Sequence, residues 1–425
     1  MRSLKAALPA RALSVTTRLT RMSTKLSPKR ELWLLLTLAG IQFTHILDFM
    51  IMMPLGPQFT QIFSITDAQF AVLVSAYTFA AGLSGLMAAT YLDKFDRKKL
   101  LLLLYVLFGL ATLACGLAPT YSTLITARVL AGIFGGVLSA LSQTIVADVI
   151  PFERRGRAMG IVMTSFSVAT VAGVPAGLFL AAHFSWHAPF FGIAAIVGLL
   201  AVAASVTLPA LNDHLKTGPR PSALEGIKRV LADTNHLKAF LFSALLMFAG
   251  FTVIPFITIY LQTNVGWRAD QVPYVYLSGG LVTLFTARLV GVLTDRKGKV
   301  ATFRFMAVLV SIPMVLTTLT AGWPMWAVLL VSTSFFACMN GRIIPGMAII
   351  TSAADPKLRG TFMALNSAVQ SAGMGAAAFL GGQIISRDAQ NLVQNFWIAA
   401  LVGACASLAA FVLSGKLKMH QAKPV

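Results

Sequence analysis

Charge is scarce in this chain, and acid is scarcest. Only 11% of the 425 residues are Asp, Glu, Lys or Arg, and 14 of them are acidic. A soluble domain carries about 25% charged residues, so this sequence cannot cover itself with a water-facing surface. Cysteine is nearly missing as well: Cys115, Cys338 and Cys405 each lie in a different apolar run. An odd count without spacing supports neither a disulfide framework nor a metal site, and leaves these residues to packing. The chain has no glycine-rich phosphate loop and no His/Cys metal cluster. No metal and no cofactor are therefore expected. No apolar run shows the two-residue alternation of a barrel strand.

Apolar residues fill the space, at 57%. They fall into twelve runs, at about 32–54, 70–92, 100–118, 123–149, 158–182, 189–209, 237–262, 271–294, 300–320, 324–350, 358–384 and 393–414. Each reaches the ~20 residues that cross ~30 Å of hydrocarbon at 1.5 Å per residue. The expectation is an all-α integral membrane protein with twelve transmembrane helices and the lipid bilayer as its first partner.

The shortage of acid leaves a net charge of +20. In a soluble protein that would point to nucleic acid; here the distribution gives another reading. With the N-terminus inside, the inside segments hold 29 of the 34 basic residues. The outside segments hold only Arg268 and Arg387; Arg128, Arg288 and Arg342 lie within the runs. By the positive-inside rule both termini are cytoplasmic, and no nucleic-acid partner is needed. Residues 1–30 carry eight Lys or Arg and no acid. That composition fits a basic cytoplasmic tail, and also an organellar transit peptide. Met22 is an alternative start.

One phrase occurs twice. ATYLDKFDR at 89–97 and GVLTDRKGK at 291–299 place Asp93 and Asp295 202 residues apart. Each lies between long apolar runs, so each sits at a membrane surface, because charge is costly inside. PFERRGRAMG at 151–160 echoes DPKLRGTFMA at 355–364, at an offset of 204. The chain thus divides into a basic tail (1–31), a six-helix half (32–210), a cytoplasmic linker (211–236), a second six-helix half (237–414) and a C-tail (415–425). In the linker Leu224, Ile227 and Leu231 share one helical face, which suits an amphipathic helix on the inner membrane surface or one packed on the protein. A parallel 6+6 repeat places a site between the halves near mid-membrane.

The pattern Gly-x-Leu-x-Asp-Arg-x-Gly-Lys/Arg resembles the loop signature of the major facilitator superfamily, found between the second and third spans and again between the eighth and ninth. The copy at 291–299 is close to it. The copy at 89–97 has Ala89 and Asp96 in place of the two glycines. The resemblance covers about residues 32–414 and is closest to bacterial drug:proton antiporters and arabinose-efflux-like permeases. It implies a cytoplasmic latch in which Asp93 faces the N-terminal end of the eleventh helix and Arg97 bridges to Asp148. Asp295 and Lys299 repeat part of it, with Ser352 near the place of Asp148. The alternative is that these charges only set topology.

Asp48 is the sole acid deep inside a run, where a carboxylate costs several kcal/mol unless paired or protonated. Its default reading is therefore functional, with a permanent structural tie as the alternative. His45 lies three residues earlier on the same face. LDFMIMMPLGP at 47–57 resembles the first-helix signature of drug:proton antiporters. Arg128 opens RVLAGIFGG, which resembles the family's Arg-x-x-x-Gly motif, whose arginine is linked to proton coupling; Gly132 and Gly136 also permit close helix contact. Asp48 and Arg128 each lie six residues from the outer ends of their runs, ~9 Å deep at 1.5 Å per residue. Two isolated opposite charges at one depth should pair. Gly173, Pro175 and Gly177 resemble the kinked fifth-helix antiporter signature, although Val174 separates its glycine and proline. Arg288 and Arg342 read as snorkelling residues. Asn340, Arg342 and Phe251 are candidate substrate contacts.

The expected function is proton-coupled efflux of a small organic molecule across a bacterial inner membrane, by a monomer and not an enzyme. A symporter importing a metabolite is the alternative. A membrane prenyltransferase using Asp93 and Asp96 is a distant one, disfavoured because Lys94, Arg97 and Lys98 crowd the metal position. No appended domain marks a sensor.

Overall fold

A computed structural model describes residues 27–151, 154–209, 211–212, 223–355 and 358–420, apart from the side chains of Ala89, Thr90, Asp93, Ala147, Arg155, Gly156, Ala223 and Leu224. The first half contains α1 (Pro28–Ile51), the short α2 (Gly56–Ile62), α3 (Asp67–Tyr91), α4 (Arg97–Gly116) and α5 (Tyr121–Val149). It continues with α6 (Arg155–Val168), joined by a π turn to α7 (Val174–His183), and ends with α8 (His187–Thr207). After α9 (Ala223–Ala232) the second half repeats the order: α10 (Thr234–Phe251), α11 (Ile257–Thr263), α12 (Pro273–Lys297), α13 (Lys299–Thr317), α14 (Met325–Ala353), α15 (Arg359–Ile384) and α16 (Phe396–Ser414). Ser386–Arg387 and Val393–Gln394 form a two-residue antiparallel ladder between α15 and α16.

Among the described residues, eleven spans are long and apolar enough to cross a membrane. The twelfth crossing is α15, 26 residues of mostly small side chains, with Asn366 and Gln370 among them. It packs along α3 of the other half and against α10. Two other helices cover one side of it, while Phe379 and Leu380 stay exposed on the other, so much of its length need not be lipid-like.

Local chemistry sets the helix ends. Thr66 and Gln69 form a reciprocal capping box, and Thr120 and Thr123 form another. Each satisfies orphan N–H groups of a first turn, so α3 and α5 begin three and two residues before the apolar runs do. The second signature is no loop. α12 runs through Asp295 to Lys297, and Gly298 at φ +88° makes the whole turn into α13. Only glycine adopts that backbone at little cost.

The first and seventh crossings, expected as continuous helices over 32–54 and 237–262, are both broken. α1 stops at Ile51, and Pro54 and Pro57 flank the turn into α2. α10 stops at Phe251, and Pro255 lies in the 3-10 turn before α11. Proline removes a backbone donor and clashes with the preceding turn.

In the linker, residues 213–222 lie outside the described residues. α9 packs on α10 and α15 through Ile227 and the fully buried Val230, whereas Leu231 is exposed. The burying face is thus rotated by one residue from the expected one. Just past α16, His420 N donates to Ser352 O at 2.8 Å, folding the C-tail back against the end of α14.

Candidate functional site: a buried ion pair between two surface clasps

Asp48 on α1 and Arg128 on α5 are both 0% exposed, and Arg128 Nη1 donates to Asp48 Oδ2 at 2.9 Å. The same nitrogen reaches Asp48 O at 3.3 Å. α5 is thinned on both sides: a Cβ on Gly135 would stand 2.5 Å from the His45 ring of α1, and the neighbouring glycines face α3. A Cβ on Gly132 would stand 2.4 Å from Tyr77 O, and one on Gly136 2.2 Å from Ala81 O. Glycine at both positions is therefore a packing requirement.

The pair is incompletely satisfied. Asp48 Oδ1, Arg128 Nε and Arg128 Nη2 have no hydrogen-bond partner among the described residues, nor do both ring nitrogens of His45 or the Tyr77 hydroxyl. The Arg128 guanidinium lies 4.2 Å from the Tyr77 ring centroid, a cation–π contact. His45 lies 6.2 Å from Tyr77, ring centre to ring centre, so Asp48, Arg128, Tyr77 and His45 form one buried group. A two-pronged carboxylate–guanidinium tie would engage both carboxylate oxygens; here one contact joins the pair, with Thr112 and Cys115 the polar side chains beside it.

Such a tie exists elsewhere. Arg387, in the short ladder, donates Nε and Nη2 to Asp67 Oδ2 and Oδ1 at 2.7 Å each. Asp67 opens α3 in the first half, and its side chain is 4% exposed. Arg387 is held in turn by Asn391 Oδ1 at 3.0 Å. Asp388 accepts from the Leu392 and Gln390 N–H groups and from Gln394 Nε2. The Leu392 N–H leads the contacts that hold its carboxyl below the usual range. The clasp joins the halves on the face opposite the basic loops. There Gly382 meets Ala71, Gly56 meets Ile259, and Gly280 meets Val171, each too closely for an added Cβ without shifts.

On the basic face, Arg97 pairs with Asp148 and is 1% exposed. The Asp93 side chain lies outside the described residues, so its expected contact with the start of α15 does too. Asp96 caps α4, accepting from Lys98 N at 2.9 Å and Lys99 N at 3.1 Å. In the second half Lys299 Nζ donates to Ser352 Oγ at 2.6 Å. Lys299 follows Arg97 by 202 residues and Ser352 follows Asp148 by 204. The repeat therefore keeps the joint and exchanges its carboxylate for a hydroxyl. Asp295 is exposed in the last turn of α12.

Gly173 closes the π turn, and Pro175 begins α7. Cβ atoms on Gly173 and Gly177 would meet Leu47 and Ile51 of α1 at 3.0 and 2.6 Å. Arg342 does not snorkel. It is fully buried, donating from Nη2 to Leu246 O at 2.7 Å and from Nη1 to Ser407 Oγ at 3.2 Å. It faces α10 and α16, inside its own half, because the packing of α14 turns it there. Arg288 is exposed on α12. Asn340 Nδ2 donates to Phe336 O of its own helix at 3.0 Å. Phe251 stacks on Phe49 of the other half, with ring centroids 5.8 Å apart.

Two six-helix halves in the same order, with buried charge between their crossings, are the architecture of a multi-pass secondary transporter. The Major Facilitator Superfamily model matches residues 38–378 and 239–423, and the chain belongs to that family. It is 26% identical to the MFS-type transporter YtbD of Bacillus subtilis over 334 residues, 77% of this chain and 82% of that one. It is 23% identical to the MFS-type transporter YhcA of the same organism, over 64% of this chain and 60% of that one. The fold is similar to a D-xylose–proton symporter (TM-score 0.74, 16% identity, 92% and 98% of the chains covered). It is also similar to a bacterial homologue of the human lysosomal transporter Spinster in an inward-facing, occupied conformation (TM-score 0.71, 17% identity, 92% and 98%). The protein is a transporter of small molecules rather than an enzyme.

Tyr77, Phe49, Asp67 and the clasp role of Arg387 were not singled out from sequence. Arg387 carried one signal: it is one of only two basic residues outside the runs on the otherwise charge-poor side.

Proposed function

We propose that this protein exports a small organic molecule across a bacterial inner membrane in exchange for protons, with both termini in the cytoplasm. The observation that carries the reading is the pair of Asp48 and Arg128, both fully buried and joined by one 2.9 Å contact. Unprotonated Asp48 holds Arg128. A proton arriving from outside neutralises the carboxylate, releases the guanidinium and changes the cavity's charge, so proton and cargo compete. Loss of the proton to the cytoplasm restores the pair. The cost of an unpaired membrane charge, about 2.5–3.5 kcal/mol on insertion scales, is the energy available to couple the two events. Arg97 with Asp148 and Lys299 with Ser352 brace the cytoplasmic face, and Asp67 with Arg387 closes the outer one. The π turn and Pro175 bend the fifth crossing against α1. Asn340 and Phe251 are candidate cargo contacts, and the carrier works as a monomer.

Symport is the second reading. It is favoured by Val174, which interrupts the Gly-Pro pair of the antiporter-like fifth crossing. A substrate screen in a strain lacking its own efflux pumps, with and without a protonophore, tests the proposal. Protonophore-sensitive loss of a compound from the cells supports export; protonophore-sensitive accumulation supports symport. Movement indifferent to the protonophore contradicts both.

A further inference from the structure

Phe49 and Phe251 stand 202 residues apart, the same offset that separates Asp93 from Asp295. They are repeat-equivalent, one in each half, and they stack on each other at 5.8 Å with 25° between the ring planes. Their positions in the chain are also equivalent. Phe251 is the last residue of α10, and Phe49 is two residues from the end of α1. Both crossings break immediately afterwards. The aromatic contact therefore joins the two halves at the hinges of the first and seventh crossings.

The stack continues into the buried ion pair. Phe49 stacks on Tyr77 at 5.4 Å and 22°. On Tyr77 in turn lies the Arg128 guanidinium, 4.2 Å from the ring centroid. The sequence Asp48, Arg128, Tyr77, Phe49, Phe251 is thus a continuous run of contacts from the carboxylate to the seam between the halves. Every junction is an ion pair, a cation–π contact or a ring stack. The first two depend on where the Arg128 charge sits.

We infer that Tyr77 and Phe49 are positioning residues that transmit the state of the Asp48–Arg128 pair to an aromatic gate formed by Phe49 and Phe251. This rests on the proposed proton coupling at Asp48. When the carboxylate is neutralised, Arg128 is no longer held beside the Tyr77 ring. Tyr77 and Phe49 then lose their fixed placement, and the seam at the two helix breaks is freed to open. The titratable or charged groups around the carboxylate are Arg128 on α5, Tyr77 on α3, Cys115 on α4, and His45 on its own helix. His45 is the other side chain among them that could take up a proton, so it needs its own control.

The test uses the full chain in lipid nanodiscs, with spin labels at the exposed positions Gln61 and Gln390 on opposite halves. Pulsed electron–electron distance measurements are made from pH 5 to 9. The wild-type distance distribution is expected to shift with pH. Asp48→Asn should remove the shift, and His45→Gln should keep it. Tyr77→Leu, Phe49→Leu and Phe251→Leu should remove it, while Tyr77→Phe, which keeps the ring face, should retain it. If Asp48→Asn abolishes the shift but Tyr77→Leu and Phe251→Leu respond as wild type does, the aromatic relay is wrong and the coupling reading survives. If Asp48→Asn itself still shifts, the coupling reading fails, and the relay falls with it. The two leucine variants sit in different halves, so misfolding of one, seen on size exclusion, leaves the other to decide.

Discussion

Arg387 grips Asp67 from the other half with two 2.7 Å hydrogen bonds in parallel, and the carboxylate is almost wholly buried. This is the two-pronged geometry in which a guanidinium binds a carboxylate best. It spans the interface that must separate if the face opposite the basic loops is to open. Arg387→Gln should therefore shift the population towards opening on that face. Removing one partner of a buried pair costs about 3–5 kcal/mol; with Arg387 partly exposed the lower end or less is expected. Thiol labelling of a cysteine placed at the half-buried Ile384, near this end of α15, should become faster. Unchanged labelling would show that the helix packing alone keeps this face shut.

The joint of Lys299 with Ser352 invites the opposite experiment. Ser352→Asp would give the second half the ion pair that Arg97 and Asp148 form in the first. An ion pair at a half-exposed site contributes about 0–1 kcal/mol, which suffices to move a near-balanced equilibrium several-fold. The expected result is slower thiol labelling at the basic ends of α13 and α14, and slower transport. Asp148→Asn should act in the reverse direction, because the buried Arg97 loses a charged partner.

Gly136 offers a test of packing free of charge. Its missing Cβ would lie 2.2 Å from Ala81 O, a backbone atom that cannot rotate away. Gly136→Ala should destabilise the first half by about 1–3 kcal/mol, the usual cost of overpacking. Thermal unfolding in detergent would read it. Gly160→Ala, where an added Cβ meets nothing within 4 Å inside a helix, is the matched control and should leave the midpoint unchanged or raise it.

The crossings were legible because spanning helices must satisfy their backbone internally and be apolar outside, which composition records directly. The eleventh, α15, was legible only as a run, since burial against α3 relaxes its need for apolar residues. The pairing of Asp48 with Arg128 followed from depth: each is six residues from the end of its run, and no other embedded acid is available. Arg342 was misread as snorkelling, because position along a helix does not say which way packing turns a side chain. The Asp67–Arg387 clasp joins residues 320 apart through a loop, and the aromatic relay depends on ring orientations. Neither leaves a local pattern. The helix breaks after Phe49 and Phe251 did leave one, in Pro54, Pro57 and Pro255, and a stricter reading of those prolines would have placed them.

The central claim is that Asp48 carries the transported proton. Its most direct test is transport of the compound found by the screen, in vesicles with an imposed pH gradient, by wild type and Asp48→Asn. The account predicts that Asp48→Asn loses accumulation against a gradient while still exchanging labelled for unlabelled compound, since the asparagine cannot titrate but the cargo site remains. His45→Gln should keep gradient-driven transport. If Asp48→Asn still concentrates the compound when the pH gradient is applied, the proton is carried elsewhere, and the pairing of Asp48 with Arg128 is structural.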